Sequence, residues 1–118
     1  TGKYDVPADI QLEEGDIRNN DPKFTDRKAE YVEAVNEIKD YLQDQGHDED
    51  LAAMMLRWTA EQPGVTCALV GARNGRQARS NARALTTRLS EDELDQIRAI
   101  ADDVIREPVG PEFMAPPE

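Results

Sequence analysis

The chain reads as part of an α/β fold that is mostly helical with one clear strand. Three observations predict this. Residues 65–70 (Val-Thr-Cys-Ala-Leu-Val) form a short apolar run between Gly64 and Gly71, the signature of a buried strand. Helix-forming periodicity lies on both sides of it. A strand that is apolar along its whole length normally sits inside a parallel sheet covered by helices, yet no other convincing strand is present to satisfy its backbone. The reading is therefore a piece of a larger α/β fold. The alternative is a small helical domain in which 65–70 form a buried connector.

Residues 1–24 hold Gly2, Pro7, Gly15, Asn19, Asn20, Asp21 and Pro22 with little periodicity and read as loop. A first helix is expected after Thr25. There Tyr31, Val32, Val35, Ile38, Tyr41 and Leu42 recur at steps that place them on one face, and Gly46 ends it. Asp48 is the expected N-cap of a second helix whose stripe is Leu51, Met54, Met55 and Trp58. Pro63-Gly64 stops that helix. A third helix is expected from about Asn74, with Asn74 and Gln77 at capping-box spacing. The fourth opens on a second box, Ser90 and Glu93, with Leu89 and Leu94 as a staple. Leu94, Ile97, Ile100, Ala101 and Val104 carry it to about Ile105. The proline-rich tail from Pro108 reads as irregular.

Composition narrows the function. Acidic residues number 25 against 14 basic ones, for a net charge of -11, so binding to nucleic acid is not expected. No apolar run approaches ~18 residues, so no transmembrane helix and no membrane partner are expected. One cysteine, Cys67, excludes an internal disulfide framework and suits the cytoplasm. Hydrophobic residues make up 38% of the chain, below the ~45–50% usual for globular domains, so any core is thin.

One stretch departs from this acidic background. Residues 71–90 contain five arginines and no acid, and they begin at a strand-to-helix junction. A helix start offers unbonded N–H groups and a positive dipole end. Gly71 and Gly75 permit close backbone approach, and Arg73 adds a planar grip suited to phosphate. Together these are the parts of an anion site. An equal alternative is that Arg76, Arg79 and Arg83 share a helix face and pair with the acids of the last helix.

The order and spacing of several segments resemble the aldo-keto reductases of the bacterial NADP-dependent type. These segments are Thr1-Gly2-Lys3-Tyr4, Gly15-Asp16-Ile17-Arg18 with Pro22 and Phe24, Trp58 through Thr66, Val70-Gly71-Ala72-Arg73-Asn74, then Gln77 and Asn81. The resemblance runs to about Val104. It implies the C-terminal part of a (β/α)8 TIM barrel that binds NADP(H) and reduces carbonyls to alcohols. Residues 25–107 would hold the last helices and the final barrel strand, 65–70 being that strand and 74–86 the helix after it, with 108–118 as the tail.

By the family pattern Gly71, Ala72 and Arg73 contact the adenosine 2′-phosphate, Gln77 lines that pocket, and Asn81 hydrogen-bonds the adenine. Many members carry Glu where Ser80 stands and Arg where Gln77 stands. Arg76 is the second candidate for the phosphate charge. The family's catalytic Asp, Tyr, Lys and His fall outside the matched segments, so the chain alone is expected to be inactive. His47 is expected to be an exposed turn residue, Cys67 a small core residue, and Trp58, Met54 and Met55 core. No metal site is expected from Glu13, Glu14 and Asp16. A non-catalytic helical interaction module, with self-association through the uncovered strand, is the alternative function.

Overall fold

A computed structural model of the chain describes residues 13–48 and 50–110. Thr1-Gly2-Lys3-Tyr4 and the last prolines lie outside the described residues. Within the described part the elements run as a 3-10 turn Ile17–Asn20, α1 (Lys28–Asp44), α2 (Leu51–Ala60), α3 (Gly75–Ala82), a 3-10 turn Arg83–Leu85, and α4 (Glu91–Val104).

The turn Ile17–Asn20 lies in the stretch expected to be loop. Asp16 caps it by accepting from the Arg18 backbone N–H at 3.0 Å. In α1 the four-residue step of Ala34, Ile38 and Leu42 buries one narrow stripe. Val35, expected on that stripe, is 44% exposed. It stands one residue round from Ala34, outside the contact arc. Gly46 ends the helix at φ +90°, a conformation glycine adopts without strain. His47 N–H donates to the Leu42 carbonyl at 3.0 Å and Gly46 N–H to that of Gln43 at 2.9 Å, which is a Schellman closure.

The cap of α2 is Asp50 and not Asp48. Its Oδ1 accepts from Ala52 N–H at 3.0 Å, because only the residue directly before Leu51 can reach the first turn's donors. Downstream, α4 opens with the complete Ser90–Glu93 capping box. At α3 only half of the expected box forms: Asn74 Oδ1 accepts from Gln77 N–H at 3.0 Å, while the Gln77 side chain turns to Arg73. The segment expected as one helix over 74–86 tightens after Ala82 into the 3-10 turn.

Helix α1 lies against α4, and α2 packs beside them. Ile38, Leu42, Met54 and Ile97 form the buried cluster, ringed by Tyr41, Leu51, Met55, Trp58, Leu89, Ile100 and Ala101. Met54, Met55 and Trp58 thus take the core places that their spacing predicts. The Trp58 indole N–H donates to the Leu94 carbonyl at 3.0 Å, and the Arg98 guanidinium stacks 5.4 Å from its ring centroid. Beyond α4 the chain returns to the start of α1. Val109 N–H donates to the Tyr31 hydroxyl at 2.9 Å, and Arg27 donates to the Glu107 carbonyl.

Three expectations are corrected. Residues 65–70 are not a strand: none occurs among the described residues. The backbone there lacks a ladder, since a strand exists only through its neighbours. Leu69 is 97% exposed, and Cys67 is exposed rather than part of the core. His47 is not a free turn residue either. It is half-buried, with Nε2 2.7 Å from Glu93 Oε1.

Candidate functional site

The site begins where 65–70 end. Gly71, Ala72 and Arg73 form an exposed loop, and α3 starts two residues later. The helix N-terminus is capped by Asn74 through Gln77 N–H, and the first turn of α3 carries no acidic residue. An uncompensated dipole end of this kind favours an anion.

Side chains of α3 hold the loop from behind. Gln77 Oε1 accepts from Arg73 N–H at 2.7 Å. Asn81 Nδ2 donates to the Gly71 carbonyl at 3.1 Å. Residues four apart lie on one face of a helix, so Gln77 and Asn81 form a pair of brackets. The structure therefore brings together Gly71, Arg73, Gln77 and Asn81, and Ala72 lies between the two bracketed residues.

Among the described residues, Arg73, Arg76, Arg79 and Arg83 form no ion pair with any acid. Pairing with the acids of α4 does not occur. Arg79 turns back along its own helix, its Nη1 3.4 Å from where a Cβ on Gly75 would stand. A longer residue at Gly75 would compete with that guanidinium for space. The arrangement suits a phosphate group. A bracketed loop at the start of a helix with no acid in its first turn, within an arginine-bearing stretch that holds no acid, has the chemistry of an anion site.

Sequence reasoning missed the contact between Asp50 and Ser80. Ser80 Oγ donates to Asp50 Oδ2 at 2.5 Å, joining α3 to the start of α2. The Ser80 hydroxyl first, and the Ala52 N–H after it, hold the Asp50 carboxyl below its ordinary range against the effect of burial. The contact spans 30 positions and has no local spacing that could announce it.

Comparison with known proteins gives the family. The model of the Aldo/keto reductase family matches residues 1–102. The chain is 37% identical over 118 residues to the aldo-keto reductase YhdN of Bacillus subtilis (strain 168), a match covering 99% of this chain. No solved structure gives a significant match. The chain belongs to the aldo/keto reductase family, whose fold is a (β/α)8 barrel. It spans 35% of the length of the Bacillus relative.

Proposed function

We propose that this chain is the C-terminal, cofactor-anchoring portion of an NADP(H)-dependent aldo-keto reductase of the cytoplasm. The observation that carries the reading is the bracketed loop Gly71–Arg73 at the start of a helix whose first turn holds no acid. Arg73 holds the adenosine 2′-phosphate by a charge-assisted, two-pronged contact, with Arg76 as a second cation. Gly71 and Ala72 let the backbone approach, Gln77 fixes the loop under the phosphate, and Asn81 meets the adenine. When bound, NADPH supplies the hydride that turns a carbonyl into an alcohol. In this reading the residues that move protons belong to the rest of the barrel. Residues 65–70 are a barrel strand there, which explains why they are apolar and yet bare.

Titrating NADPH and NADH against the chain and against Arg73→Ala tests this. The chain binds NADPH in preference to NADH. The substitution weakens NADPH by about tenfold, the scale of one hydrogen bond to a charged group, and leaves NADH unchanged. Equal losses for both cofactors, or no preference at the start, overturn it.

A second reading rests on Leu69, which is 97% exposed on a segment outside any helix or sheet. An exposed apolar segment whose backbone lacks a ladder can pair with a second copy of itself, so the isolated chain self-associates through 65–70. Sedimentation that gives a monomer at high micromolar concentration rejects this.

A further inference from the structure

Helix α3 has no buried residue. Hydrophobic packing therefore does little to set its rotation about its own axis. Its polar side chains make contacts in two directions. Gln77 and Asn81 face the loop, while Ser80, about 100° round from Asn81, faces α2 and donates to Asp50.

Asp50 is well fixed. One carboxylate oxygen accepts from Ala52 N–H at 3.0 Å as the α2 cap, and α2 is anchored in the core by Ala53 and Met54. The other oxygen accepts from Ser80. Hydrogen bonds to an ionised carboxylate are shorter and stronger than neutral ones, and this one is half-buried.

We infer that Asp50 is a positioning residue for the loop Gly71–Arg73, acting through Ser80 and Asn81. The inference builds on the cofactor reading above. The Asp50–Ser80 hydrogen bond sets how α3 is turned. That rotation aims Gln77 and Asn81, and those two side chains hold Arg73 N–H and the Gly71 carbonyl. A polar link between the core and the exposed loop thus runs through the Ser80 hydroxyl, beside the packing of α2 on α3 and on the turn Arg83–Leu85.

The test uses the whole chain with Ser80→Ala, which removes the link and leaves the Asp50 cap of α2 in place. Two readouts are taken: amide hydrogen exchange, residue by residue, and the NADPH dissociation constant. Exchange at Arg73 N–H rises roughly tenfold, the scale of one charge-assisted hydrogen bond, while Ile97 and Ile100 in α4 keep their rates. The NADPH dissociation constant rises by a similar factor, and Ser80→Thr, which retains the hydroxyl, restores both. Unchanged exchange at Arg73 overturns the inference. So does faster exchange of equal size in α2, α3 and α4, which marks a general loss of stability. Failure of the cofactor reading looks different: neither wild type nor Ser80→Ala then binds NADPH, while the exchange comparison still decides the role of Asp50.

Discussion

His47 and Glu93 join the turn after α1 to the first turn of α4, with Nε2 and Oε1 2.7 Å apart. The same carboxylate closes the α4 capping box, its Oε2 accepting from Ser90 N–H at 2.7 Å. One side chain thus serves a helix end and a contact between elements 46 positions apart.

Glu93 makes stability depend on acid. Burial pushes its carboxyl up, but hydrogen bonds from the Ser90 backbone, His47 and the Ser90 hydroxyl outweigh this, and it titrates below its ordinary value. A depressed carboxylate contributes stability that is present above its unfolded value of about 4.3 and is lost as pH falls through the folded value. Urea midpoints measured from pH 7 down to pH 3 should fall through that window. Glu93→Gln should be less stable than wild type at pH 7, with the gap closing at the acid end. A constant gap across the range would refute this role.

Leu42 is fully buried between the helices. Leu42→Ala leaves a cavity and should cost about 2–5 kcal/mol. For a chain with so few buried residues, that is a large share of a typical stability of ~5–15 kcal/mol. Urea unfolding followed by far-ultraviolet circular dichroism measures it; a loss under about 1 kcal/mol would mean that the cluster carries little of the fold.

Trp58→Phe removes the hydrogen bond to the Leu94 carbonyl and keeps most of the ring packing. The expected loss is about 1 kcal/mol. Hydrogen exchange should quicken most at the start of α4, because the Leu94 carbonyl is where the indole is tied.

Leu69 separates the chain by itself from the proposed barrel. At 97% exposure, Leu69→Ser should change the stability of this chain by no more than about 0.5 kcal/mol. In a full-length reductase, where the proposed strand is covered, the same substitution should cost about 2–4 kcal/mol. Equal effects in the two settings would reject the strand assignment.

How far the sequence could be read depends on how local each cause is. The α4 box was legible because Ser90 and Glu93 lie three residues apart and satisfy each other. The stripe of α2 was legible for the same reason. The Asp50 cap was misplaced by two residues in an acidic run where several carboxylates qualify. Residues 65–70 carry strand composition, but a ladder requires partners, and their backbone finds none among the described residues. The bracketing of Gly71 and Arg73 follows from spacing within α3, whereas His47–Glu93 and Asp50–Ser80 depend on tertiary placement that no local pattern encodes.

Tyr31 and Arg27, at the entrance to α1, grip Val109 and Glu107 after the exit from α4. The helical unit therefore begins and finishes at one spot. A gene permuted circularly, joining these two ends with a short linker and opening the chain at Pro63-Gly64, should still encode the same three-helix packing.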